Sequence, residues 1–184
     1  MKRTAQAVWS GALRDGKGSI SLQSGVLKEQ PYSFKMRFED ESGKSGTNPE
    51  ELIAAAHASC FTMQLSHFLA EAGHPAAKLT TDAEITIGPV PAGGQEISRS
   101  ALTLRGNVPG MTEAQFIELA NKAKAGCPVS KALGAIEITH HRCHSSICRI
   151  NINAQMICQY QAVNRQTFLR KARSEEHTSE LQSL

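Results

Sequence analysis

The sequence predicts an α+β protein, and three observations carry that reading. Runs of strand character come first, one long apolar helix follows, and strands return after it, with no regular alternation of strand and helix that would build a parallel sheet. The stretch "LIAAAHASCFTMQLSHFLA" is apolar on almost every side, the mark of a helix buried all round. At 184 residues, 40% of them hydrophobic, the chain fits one domain or slightly more, with a sizeable core.

Residues 6–38 read as three short strands, "QAVWSGAL", "GSISLQS" and "PYSFKMRF", separated by turns carrying "RDGKG" and "SGV". In the third, Tyr32, Phe34, Met36 and Phe38 alternate with Ser33, Lys35 and Arg37, a period-two pattern that turns Arg37 away from the aromatic side. The polar loop "ESGKSGT" leads into a strong helix start, with Asn48 as cap, Pro49 in the first position, and Glu50 and Glu51 in the first turn, where the helix dipole favours acids. Gly73 and Pro75 stop this helix. Burial on every side requires a sheet and a partner subunit around it, which predicts an oligomer.

"KLTTDAEITIG" and "QEISRSALTLRGNV" are strands on either side of the turn "PVPAGG". Thr112 and Gln115 form a capping box that opens a helix running to Gly126. A short helix follows Cys127 and ends at Gly134, and "AIEITH" is the last strand.

The formal charge of +3 is small, and basic residues are dispersed among acidic ones, so the chain lacks the electrostatic footprint of a nucleic-acid partner. The start "MKRTAQAVWSG" is basic but has no apolar run of the kind a secretory signal needs, so a cytoplasmic protein is expected. Two histidines, Gln64 and several hydroxyls interrupt the long apolar stretch, which favours a core helix over a membrane span. Five cysteines in a reducing compartment argue for thiol chemistry or plain burial rather than a disulfide scaffold.

Hydrophobic periodicity breaks off after "GAIEITH". The closing "RSEEHTSELQSL" matches the translation of a common sequencing-library adapter. Residues 1–139 are therefore read as the domain, 140–172 as a frameshifted or chimeric tail, and 173–184 as adapter sequence. His141, Cys143, His144 and Cys148 have the chemistry of zinc ligands, but their spacing departs from the usual finger patterns. Cys143, Cys148 and Cys158 are read as having no function, which leaves Cys60 and Cys127.

Cys60 lies in the middle of the apolar helix, where a small buried filler is the commoner use of the residue. Cys127 stands between Gly126 and Pro128 at a helix start, a position that leans towards solvent and lowers a thiol pKa, although a cap alone would also explain it. Taken singly, Glu50 and Glu51 are helix-start acids, Arg37 a solvated charge, and His57, one turn before Cys60, a packed histidine or an imaginable base.

The combination of "GTNPEELIAAAHASCFTM" and "AKAGCPVSKAL", with "QPYSFKMRF" and "SGVL", closely resembles the OsmC/Ohr family of thiol peroxidases in its osmotically inducible branch, over residues 2–139. The resemblance implies the OsmC-like fold: antiparallel sheets around a long buried central helix, in two chains intertwined as a homodimer with active sites at the interface. By position it puts the peroxidatic cysteine on Cys60, the resolving cysteine on Cys127, the family's arginine on Arg37 and its acid on Glu50. A thiolate that attacks a hydroperoxide becomes a sulfenic acid, which a second thiol condenses to a disulfide. Cys60 is too far into its helix to profit from the dipole, so a cation must hold its thiolate; Arg37 is the candidate, with Glu50 positioning it.

Organic hydroperoxides are the implied substrates, favoured by apolar Phe61, Met63 and Phe38, with a lipoyl-type dithiol as reductant and roles in oxidative and osmotic stress. No metal, haem or flavin is called for. Two other readings share the fold: a redox-inactive binding dimer with structural cysteines, and a thiol sensor that oxidises once. Ten residues of helix separate Glu50 from Cys60 by ~15 Å, so the two cannot touch, and a long arginine, from the same chain or its partner, must span much of the gap.

Overall fold

The computed structural model describes residues 1–134 and 136–144, the residues from 137 onward by their backbone alone. The expectations for 145–184, including Cys148, Cys158 and the boundary at 173, lie outside these residues, as do the side chains of His141, Cys143 and His144.

Three antiparallel strands open the chain: β1 (Ala5–Ser10), β2 (Lys17–Leu22) and β3 (Gln30–Tyr32), in the order β1-β2-β3. The expected third strand is cut short. After Tyr32 the chain turns into a short helix, α1 (Phe34–Phe38), because Ser33 adopts an extended conformation and its hydroxyl accepts the Met36 N–H, so a local cap wins over the period-two pattern. Phe34 and Phe38, four residues apart, then share one helix face with their rings 5.0 Å apart. Arg37 consequently lies over the Phe38 ring, 4.7 Å from its centroid, and does not point away from the aromatic side.

The long helix α2 (Pro49–Glu71) starts as its cap predicts: the Asn48 side chain accepts the Glu51 N–H at 2.8 Å, Pro49 takes the first position, and Glu50 and Glu51 occupy the first turn. It ends before Gly73, whose φ of 80° suits only glycine without strain. Strands β4 (Lys78–Pro89) and β5 (Gln95–Asn107) form a long antiparallel hairpin, and β6 (Glu137–His144) pairs with β5 in parallel, so the second sheet, β4-β5-β6, is mixed. The parallel pairing arises from the crossover through α3 (Glu113–Gly126) and α4 (Pro128–Ala132). Helix α3 begins with the full Thr112–Gln115 capping box. The last strand also runs beyond His140, where sequence periodicity had ended.

One core joins the second sheet to the helices. Phe61, Leu65 and Leu69 of α2 meet Leu102 and Leu104 of β5 and Phe116, Ala120 and Ala123 of α3, with Cys127 among them. Only one face of α2 takes part. The stripe Glu51, Ala55, Ser59, Met63 and Ser66 remains exposed, so the helix is covered on one side only within the chain. Among the described residues no helix is long and apolar enough to cross a membrane.

Polar groups inside this core are satisfied. His57 is fully enclosed and joins α2 to β5 and α4, with Nδ1 2.7 Å from Ser100 Oγ and Nε2 2.8 Å from Ser130 Oγ. Burial, and secondly the charge of Lys124, pushes its pKa below the ordinary 6.5, so the folded imidazole is neutral. On acidification the unfolded chain therefore takes up this proton first. The stability is complete above pH 6.5 and is lost as the pH falls from there through the lower folded value. Denaturant unfolding from neutral to mildly acidic pH is expected to show a steeper loss in the wild type than in His57→Gln.

Close packing also fixes a glycine. A Cβ on Gly106 of β5 would lie 2.7 and 2.9 Å from ring carbons of buried Phe116. Gly106→Ala is expected to cost about 1–3 kcal/mol, read as a lower denaturant midpoint at unchanged slope.

Candidate active site

Helix α2 presents Cys60 towards the junction of α3 and α4, and that junction is built around Cys127. The residue is at once the C-cap of α3, its N–H donating to Ala123 O at 2.8 Å, and the N-cap of α4, with its sulfur accepting the Ser130 N–H at 3.5 Å. Gly126 beside it faces the Phe68 ring of α2, which a Cβ there would meet at 3.4 Å, an ordinary packing contact. The outcome is contact between two thiols 67 positions apart: Cys127 Sγ lies 3.1 Å from Cys60 Sγ. Both cysteines are free, and a bond of about 2.05 Å would need an approach of only about 1 Å.

The two thiols differ in access. Cys127 is 0% exposed, which corrects the expectation of an accessible helix start: the helix it caps faces the core, and the sulfur lies beneath Cys60. Cys60 is only partly buried. Their acidities differ as well. Burial, reinforced by the hydrogen bond with Cys127, raises the Cys60 pKa. For Cys127 burial is the largest single influence and acts upward, but the N–H groups of Ser130 and Val129, the Ser130 hydroxyl and the Cys60 thiol together outweigh it and lower the pKa.

Arg37 and Glu50 come together as a two-pronged ion pair, Nη2 to Oε1 at 2.5 Å and Nε to Oε2 at 3.1 Å, within one chain. Their side chains are 33% and 12% exposed, so the acid is the better enclosed partner. The pair sits at the start of α2. Among the described residues neither member hydrogen-bonds a thiol. Of the apolar residues expected to favour organic substrates, Phe61 is a core residue with no exposure, whereas Met63 is 70% and Phe38 43% exposed.

Sequence reasoning found both cysteines and the ion pair but missed Ser100 and Ser130. Ser130 had a local signal, since it is the third residue after the cap Cys127, where a cap's partner stands. Among the described residues no group of three His, Cys, Asp or Glu could hold a metal ion. Two reduced sulfurs in contact, one reachable and one enclosed, suit two-electron thiol and disulfide chemistry.

Comparison with known proteins gives a consistent picture. Residues 41–141 match the protein family described as OsmC-like protein. The chain is 49% identical to Peroxiredoxin OsmC of Escherichia coli (strain K12) over 137 residues, 74% of this chain and 92% of that protein. It is 37% identical over 103 residues to the organic hydroperoxide resistance protein of Xanthomonas axonopodis pv. citri, 53% of this chain and 68% of that one. Among solved structures, the organic hydroperoxide resistance protein OhrB of Bacillus subtilis superposes with a TM-score of 0.60 at 26% identity, covering 76% of this chain and 97% of that one. On the family match and the extent of the identity to Peroxiredoxin OsmC, the chain is a member of the OsmC/Ohr family.

Proposed function

We propose that the protein is a cysteine-based peroxidase that reduces organic hydroperoxides to alcohols in the reducing cytoplasm, with Cys60 as the peroxidatic and Cys127 as the resolving thiol. The observation that carries this is the Cys60–Cys127 pair, reduced and 3.1 Å apart, with the partly exposed sulfur over the enclosed one. The names of the relatives, a peroxiredoxin and organic hydroperoxide resistance proteins, support the reaction and its substrate class.

The Cys60 thiolate attacks the distal oxygen of the hydroperoxide, the O–O bond breaks, and the alkoxide leaves as alcohol on taking a proton. Cys127 then displaces hydroxide from the Cys60 sulfenic acid, giving water and a disulfide, which a lipoyl-type dithiol reduces. Cys127 is the more acidic thiol, yet access selects Cys60: a substrate cannot reach a sulfur with no exposure. Cys60 therefore needs a cation to be a thiolate, the role given to Arg37, while Glu50 fixes the direction of the guanidinium.

That cation comes from a second subunit. Glu50 and Cys60 of one helix are ~15 Å apart along the axis, and Arg37 is tied to Glu50. Two α2 helices crossing antiparallel about a two-fold axis near Ala55 bring the Glu50 of each towards the Cys60 of the other. The exposed face there is built of Ala55, Ala56 and Ser59, small enough for close approach, and exposed Val8 of β1, with Leu13 and Val26 in the turns that follow β1 and β2, adds apolar surface that a homodimer would bury.

Treating the protein with stoichiometric organic hydroperoxide is expected to remove two hydrogens, mapped by peptide mass to a Cys60–Cys127 bridge that dihydrolipoamide reverses. Cys60→Ser should abolish turnover, while Cys127→Ser should stop at a sulfenic acid that dimedone traps; equal turnover in the two variants would sink the assignment. Arg37→Ala is expected to slow the attack on peroxide on the order of 10²-fold. Mixed dimers of Arg37→Ala with Cys60→Ser chains should regain one working site per dimer if the arginine acts across the interface, and none if it acts within a chain.

A further inference from the structure

Three enclosed polar side chains stand outside this cycle: His57 of α2, Ser100 of β5 and Ser130 of α4. They form one line, from Ser100 Oγ to His57 Nδ1 at 2.7 Å and from His57 Nε2 to Ser130 Oγ at 2.8 Å. The line continues past Ser130 to the thiol. Its backbone N–H donates to Cys127 Sγ at 3.5 Å, and its hydroxyl is among the groups that lower that thiol's pKa.

Counting protons sets the direction of the line. A neutral imidazole donates from one nitrogen and accepts at the other. If the Ser130 hydroxyl donates to the Cys127 sulfur, its oxygen accepts from His57, so the ring proton is on Nε2 and Nδ1 accepts from the Ser100 hydroxyl. In the opposite tautomer Nε2 takes the Ser130 proton, and the sulfur loses that donor. Only the first arrangement aims a side-chain donor at an enclosed sulfur that must become an anion, and an enclosed anion short of donors carries a heavy desolvation penalty.

We propose that His57, as the Nε2–H tautomer, is a positioning residue for disulfide closure: it holds the Ser130 hydroxyl on Cys127 Sγ and thereby stabilises the thiolate that attacks the Cys60 sulfenic acid. The inference rests on the assignment of Cys60 and Cys127 as peroxidatic and resolving thiols. In the step it serves, the S–S bond forms from the Cys127 electron pair as the Cys60 S–O bond breaks, and the departing hydroxide joins the proton lost by Cys127 as water. The hydroperoxide has already supplied the oxidising equivalents, and His57 is unchanged at the end.

The test separates the two steps in the full-length protein. After rapid mixing with tert-butyl hydroperoxide, peptide mass spectrometry follows the dimedone adduct of Cys60 and the Cys60–Cys127 disulfide in time. Loss of a hydrogen bond to a charged group predicts that Ser130→Ala slows closure at least ~10-fold more than it slows sulfenic acid formation. His57→Asn, whose shorter amide reaches Ser100 but not Ser130, should do the same. His57→Gln keeps a donor at the Nε2 position and should close within about threefold of wild type, and the double variant His57→Asn, Ser130→Ala should be no slower than either single change.

A packing role alone predicts no rescue by glutamine. Closure at wild-type speed in Ser130→Ala, or glutamine no better than asparagine, overturns the proposal, and Ser130→Ala decides it alone if the His57 variants do not fold. A wild-type protein that forms neither adduct nor disulfide overturns the peroxidase assignment itself, and this inference with it.

Discussion

The seating of the α3–α4 junction on the middle of α2 is the constraint on which the rest of the structure depends. Two thiols can be 3.1 Å apart only if the ends of two helices approach a third without an intervening side chain. Gly106 supplies such closeness between β5 and α3, where a Cβ would meet the Phe116 ring at 2.7 Å. The apolar cluster then encloses Cys127 together with the residues that position it, so the core and the site are one packing unit. The His57 hydrogen bonds to β5 and α4 hold this unit in one register, because either serine, if displaced, would leave an enclosed polar atom without a partner.

Enclosure and acidity pull in opposite directions at this site. The helix start that makes Cys127 acidic is turned inward, so the better thiolate is the one a substrate cannot reach. A buried, stabilised thiolate is poorly placed for first attack but well placed for the second, when its electrophile is a neighbouring sulfur already in contact. Cys60 has the complementary properties: it has access and contact, but its pKa is raised by burial. The proposed division of labour follows from these two environments, and it makes an external cation a requirement of the first step and not of the second.

Features set by local hydrogen bonds were legible in the sequence. Asn48 with Pro49, Thr112 with Gln115, and Cys127 with Pro128 each satisfy helix ends within three or four residues, and each helix begins where those residues place it. The segment 31–38 was misread because two local signals compete there: aromatic residues at every second position fit a strand, and the same residues at i and i+4 fit a helix. The Ser33 cap decides in favour of the helix. What pairs across long separations was not legible. The parallel register of β6 on β5, and the meeting of Ser100 and Ser130 at one imidazole, depend on tertiary packing that leaves no local pattern in the chain. The two cysteines themselves were recognisable as chemistry only through their surrounding motifs, since each alone reads as a filler or a cap.

The open face of α2 and the distance between Glu50 and Cys60 bear on the same question. A helix apolar on every side is anomalous in a single chain, and here its outer stripe of Ala55, Ser59 and Met63 stays uncovered. An ion pair such as Arg37 with Glu50, half an α2 length from the thiol it should serve, is anomalous in a single site. The homodimer proposed above, with its two-fold axis near Ala55, accounts for both, because a helix pairing that covers the stripe would also bring each ion pair to the other chain's Cys60. The glutamate is more than a counter-charge: it takes two of the arginine's five donors and fixes the plane of the guanidinium. In the proposed role such an arginine would meet the Cys60 thiolate and its peroxide already oriented, so little side-chain entropy would be lost as the reaction begins.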